Sequence, residues 1–97
     1  MGRGHRNTGP KLKAHSLEGL SPDAERVYKR IRQYAEQCMQ ADYAQEVYEY
    51  RVRYRYGYPS RIHYSWKTRR LLHLMDLLAR KEIGINAARN ELERIKH

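Results

Sequence analysis

The chain has 97 residues, 20 Lys and Arg against 11 Asp and Glu, a net charge of +9, and a single cysteine. That length bounds one domain with a modest core, and a lone Cys38 excludes an internal disulfide and a cysteine-based metal site. The longest apolar run, Leu71 to Ala79, is interrupted by His73 and Asp76 and is too short to span a bilayer; no secretory segment is visible, so a cytoplasmic or otherwise intracellular place without membrane contact is expected.

The charge is unevenly spread. Residues 1–20 sum to +3, residues 21–50 to −2, residues 51–70 to +7 with no acid, and residues 71–97 to +1. Seven cations in twenty residues favour a polyanionic partner, nucleic acid first and an acidic protein or anionic membrane second. The plain alternative is a solvated face that keeps the protein soluble.

Residues 1–20 carry glycines, Arg3, Arg6, Lys11 and Lys13, and only Leu12, Leu17 and Leu20 as large apolar residues after Met1. This composition reads as a flexible basic arm that either follows phosphates or is an ordinary frayed terminus. Residues 21–97 read as the folded domain.

A helix is predicted from Pro22 to about Ala41. Ser21 can cap it, Pro22 suits its first position, and Asp23 and Glu25 face the positive end of its dipole. Val27, Ile31, Tyr34, Cys38 and Ala41 form an apolar stripe, with Arg26, Lys29, Arg30 and Gln33 opposite. Its end is poorly marked, and a helix continuing through residue 56 is the main structural rival.

Residues 47–67 then alternate with period two. Tyr48, Tyr50, Val52, Tyr54 and Tyr56 fall on one side of a strand, and Glu49, Arg51, Arg53 and Arg55 on the other. After the turn-like Gly57-Tyr58-Pro59-Ser60-Arg61, Ile62, Tyr64 and Trp66 alternate with His63, Ser65 and Lys67. Matching the faces pairs Tyr56 with Ile62, Tyr54 with Tyr64 and Val52 with Trp66. The expectation is a β-hairpin with an aromatic side packed on helices and an arginine side facing out.

Thr68 can cap a second helix, Arg69 to about Ile83, with the stripe Leu71, Leu74, Met75 and Leu78. Flanking Leu72 and Leu77 make it apolar over more than half its circumference, which implies two packing partners, a second subunit among the candidates. Gly84 reads as its left-handed terminator and Asn86 as the cap of a last helix, Ala87 to about Lys96, with the stripe Ala88, Leu92 and Ile95. Leu77 to Ile95 has the outline of a helix-turn-helix. However, Arg80, Asn90 and Glu93 stand where that pattern wants a small and two apolar residues, so no recognition residues follow from it.

The resulting expectation is a small α+β domain of order α-β-β-α-α, with an all-α fold as the alternative. Ile31, Val52, Trp66, Leu74 and Leu78 should form its core. No catalytic constellation, phosphate loop or metal-ligand spacing is present, so neither an enzyme nor a cofactor is expected. The functional expectation is nucleic-acid binding, DNA or structured RNA, with phosphates held by Arg51, Arg53, Arg55, Arg61, His63, Lys67, Arg69 and Arg70. Tyr56 and Tyr58 are expected to be exposed at the turn, and Arg3, Arg6, Lys11 and Lys13 to assist. The second reading is an adaptor or inhibitor that docks the basic hairpin on an acidic partner protein or larger complex.

Overall fold

The computed structural model describes residues 10–97, so Arg3 and Arg6 lie outside the described residues. Three helices account for the architecture: α1 (Pro22–Tyr54), α2 (Trp66–Ala79) and α3 (Ile85–Lys96). No strand occurs among the described residues. The fold is therefore all-α, and the expected α+β class and its β-hairpin are overturned. Residues 48–54 are the last two turns of α1, and residues 55–65 return as an irregular loop.

The reason is local. No glycine or proline occurs from Asp23 to Tyr56, so nothing in the chain stops a helix once it has started. Adding a residue to an existing helix carries no nucleation penalty, whereas a hairpin must close a loop and find a surface for its aromatic side. The helix also collects neighbours one turn apart: the Gln45 amide donates to Glu49 at 2.8 Å, and the Tyr50 and Tyr54 rings lie 4.7 Å apart. Tyrosine is tolerated half-wet, so an alternation of Tyr with Arg does not define a buried face as an alternation of Val with Arg would.

The start of α1 follows its signals. Ser21 is extended, its Oγ accepts from the Ala24 N–H at 3.1 Å, and Asp23 and Glu25 occupy the first turn. The helix buries Ala24, Val27, Tyr28, Ile31 and Ala35 against Leu71, Leu74, Met75 and Leu78 of α2 and Ala88, Leu92 and Ile95 of α3, and Met39 is buried outside that cluster. The broad apolar circumference of α2 is thus met by α1 and α3. Residues 10–20 run along the bundle, with Leu12, Leu17 and Leu20 packed against the core. His15 sits among them, with Nδ1 2.6 Å from the Tyr28 hydroxyl and Nε2 3.4 Å from an Asp76 carboxylate oxygen.

Besides the end of α1, three helix boundaries differ from the expected ones. Helix α2 begins at Trp66 because Ser65, not Thr68, is its cap: Ser65 Oγ accepts from the Thr68 N–H at 3.3 Å. It ends at Ala79 because Lys81 takes the left-handed position, with φ 62°, that was assigned to Gly84. The Lys81 N–H donates to the Leu78 carbonyl and the Glu82 N–H to the Leu77 carbonyl, which closes the helix end in a Schellman arrangement. Gly84, with φ −80°, instead precedes α3 as its cap residue, so the helix starts at Ile85 and Asn86, expected as the cap, lies in its first turn.

All 33 residues of α1 form one rod of about 50 Å at 1.5 Å per residue, close to the 47 Å long dimension of the molecule. Only its first half has partners in the bundle. The second half and the returning loop form a projection, residues 42–65. Val52 and Trp66, expected in the core, are 68% and 59% exposed there, while Ile31, Leu74 and Leu78 are fully buried.

Candidate functional site

The projection is joined to the bundle at Asp42. Its carboxylate accepts from the Ser65 N–H at 2.9 Å and from the Thr68 hydroxyl at 2.6 Å, and Thr68 is itself completely buried. An acid of α1 thus sits at the positive end of the α2 dipole and ties the return of the loop to the middle of the long helix. Burial pushes the Asp42 carboxyl up, but the hydrogen bonds from Thr68 and Ser65 outweigh it and hold the group below the usual carboxylate range. Nearby, burial raises the Tyr64 hydroxyl, and the Asp42 charge adds to the shift.

The tip is shaped by Arg51, Arg55 and Gly57. Helix α1 stops when Arg55 adopts φ 77° while its N–H still donates to the Arg51 carbonyl at 2.8 Å. Gly57 follows with φ 99°, a conformation that favours glycine, and a Cβ there would make a tight contact, 3.3 Å from the Tyr50 ring. Arg51 clamps the turn: its Nε donates to the Gly57 carbonyl at 3.3 Å, and its guanidinium lies 4.7 Å from the centre of the Tyr58 ring.

The electrostatics divide the molecule. On the bundle Arg26 pairs with Asp23, Lys29 with Glu25, Arg32 with Glu36, Arg80 with Asp76, Arg94 with Glu91 and Lys96 with Glu93. Among the described residues Arg51, Arg53, Arg55, Arg61, Lys67 and Arg69 make no ion pair, and all six are exposed. Asp42, Glu46 and Glu49 precede them on α1, so the positive potential grows toward the tip. Arg51 and Arg53 have a structural reason to be there, because cations complement the negative end of the α1 dipole. Lys67 in the first turn of α2 opposes a dipole, and Arg61 lies in the loop; neither has that reason.

The structure brings Arg51, Arg53, Arg55, Tyr56 and Tyr58 to the end of the projection, with Arg61 and exposed His63 on its returning loop. Lys67 and Arg69 lie at its base. Arg70 is drawn away from this set by its ion pair with Glu91 on α3. Lys11 and Lys13 belong to the bundle, where with Met39, Tyr64 and Leu72 they line a groove of about 400 Å³ between residues 10–15 and α2.

Tyr48, Tyr54 and Trp66 lie outside the packed aromatic side that a hairpin predicts, whereas Tyr56 and Tyr58 are exposed as expected. Tyr48, Tyr54, Tyr56, Tyr58 and Trp66 are all exposed, from 46% at Tyr58 to 72% at Tyr56. The uninterrupted helical stretch from Asp23 to Tyr56 is the signal that would have found Tyr48 and Tyr54. Among the described residues no cluster of three or more His, Cys, Asp or Glu side chains has the geometry to hold a metal ion. No described helix is long and apolar enough to cross a membrane. No family model matches the chain, and no curated protein or solved structure matches it either.

Proposed function

We propose that the chain binds nucleic acid through its projection, with Arg53, Arg55, Arg61, Lys67 and Arg69 holding phosphates. The reading is supported by one observation above the others: six exposed cations of residues 51–69 have no carboxylate partner, whereas most cations of the bundle do. Guanidinium groups match phosphate oxygens in a fixed fork, and their counterions and those of the nucleic acid are released on contact. Arg51 serves the site indirectly by holding the turn that presents Arg55 and Tyr58. Affinity on this reading comes from charge, with little sequence preference.

The test is affinity for a 20-nucleotide oligomer measured across a salt series. Log affinity should fall linearly with log salt. An Arg53→Gln/Arg55→Gln/Arg61→Gln variant should lower the magnitude of that slope by about 2 on single strands, with helical content unchanged. A folded triple variant that keeps its affinity and slope overturns the reading. The second reading, an acidic protein partner, then takes its place; Tyr48 and Val52, exposed one turn apart on the same helix, favour it as the apolar part of such an interface.

A further inference from the structure

The projection offers more than charge. Between the unpaired cations stand exposed rings, and several are braced. Arg51 lies 4.7 Å from the ring centre of Tyr58, Tyr50 lies 4.7 Å from Tyr54, and Arg70, anchored by Glu91, lies 6.0 Å from Trp66. Each ring is therefore held by a neighbour and still exposed to solvent. A ring fixed in place in advance loses little conformational freedom when a flat group stacks on it.

The shape of the projection bears on what that flat group is. A duplex major groove, about 12 Å wide, admits one helix of about that diameter. Here the loop runs beside α1, with Arg51 bonded to Gly57 and with Pro59 lining a depression between Tyr50, Tyr54 and Arg53. Helix and loop together are wider than one helix. In a duplex, moreover, the base faces are already stacked on each other, so the exposed rings would find no base face to stack on.

We infer that the projection takes single-stranded nucleic acid, with unpaired bases stacked on Tyr54, Tyr58 and Trp66 and the strand's phosphates on Arg55, Arg61 and Lys67. The inference rests on the nucleic-acid reading above and narrows its substrate. Stacking tolerates any base because every base has a flat face, which fits a surface with few groups placed to read base edges.

Trp66 is the only tryptophan of the chain, so its emission reports directly on the site. The full-length protein is titrated at one salt concentration with a thymidine 20-mer and with a 20-base-pair duplex. The single strand should bind at least tenfold more tightly and quench Trp66, although the duplex has the higher charge density. Tyr54→Ala and Tyr58→Ala should each weaken single-strand binding by roughly 5- to 100-fold while leaving the salt slope in place, and Tyr58→Phe should restore binding. Duplex binding equal to or tighter than single-strand binding overturns the inference and leaves the nucleic-acid reading standing. Binding to neither overturns both. Unchanged single-strand affinity in the folded alanine variants overturns the stacking.

Discussion

The two halves of α1 have the same backbone and opposite circumstances. From Ala24 to Met39 the helix buries six residues, and most of its cations sit one turn from a carboxylate. From Ala41 to Tyr54 it buries none, and its two arginines pair with nothing among the described residues. The first half is a helix because its apolar stripe has somewhere to go. The second is a helix because the first half exists and nothing interrupts it. A secondary structure can thus be inherited along a chain, and the inherited part is free to carry side chains chosen for something other than packing.

The largest effects should come from the half that packs. Leu78→Ala removes a fully buried side chain and should cost roughly 2–5 kcal/mol, a fall in melting temperature on the order of 10 °C or more. Val52→Ala, on the other half of the molecule, should stay within about 0.5 kcal/mol of the parent protein. Thermal melts of the two variants side by side test the division directly. A large loss at Val52 would mean that the projection packs against something.

Asp42 is where the halves meet, and its removal should have an intermediate effect. Asp42→Ala leaves the buried Thr68 hydroxyl with only Ser65 as a partner and takes an acceptor from the Ser65 N–H, at a cost of roughly 1–3 kcal/mol. The effect should depend on pH with a definite sign. The folded protein holds this carboxyl below its unfolded value of about 3.9. The stabilisation is therefore complete above that value and is lost as pH falls through the lower folded value. Urea unfolding at pH 7 and in strong acid should show the gap between parent and variant closing at the acid end.

A change at the tip should have a smaller and more local effect than the loss of Asp42. Gly57→Ala puts a Cβ 3.3 Å from the Tyr50 ring at a φ of 99°, with a local cost of about 1 kcal/mol. Because the projection contributes nothing to the core, the melting temperature of the bundle should barely move. Limited trypsin digestion should instead show faster cleavage at Arg55 and Arg61 than in the parent, read by mass spectrometry.

Where an apolar stripe decides, the sequence was readable, and of the predicted caps Ser21 stands. Ser21 and Pro22 start α1, Ala88, Leu92 and Ile95 line α3, and Leu71, Leu74, Met75 and Leu78 line α2, all at the positions their spacing implies. The stripe of α1 was placed slightly askew, since Tyr28 and Met39 are buried while Tyr34 and Cys38 are only partly covered. The hairpin failed for a different reason. A helix does scatter the Tyr and Arg of residues 48–54 around its circumference without a coherent face, as the sequence implies, and the structure leaves all of them but the half-buried Tyr50 exposed. The mistaken step was to require a face. Of the candidate site, the concentration of cations in residues 51–70 was legible because charge is carried by composition. The exposure of Trp66 was not, because it depends on α1, α2 and α3 satisfying one another and leaving no apolar surface over.

The unbroken backbone between Asp42 and Tyr54 also makes the projection a measuring rod. Those residues span about 18 Å at 1.5 Å per residue, and no glycine or proline among them offers a hinge. The end of the rod cannot swing on its own; it keeps a set distance and azimuth from the bundle. Each residue of helix turns the tip by about 100°, so the direction in which Arg55 and Tyr56 point is a count of residues. Whatever is gripped at the tip is thereby held at a fixed reach and on a fixed side of the bundle.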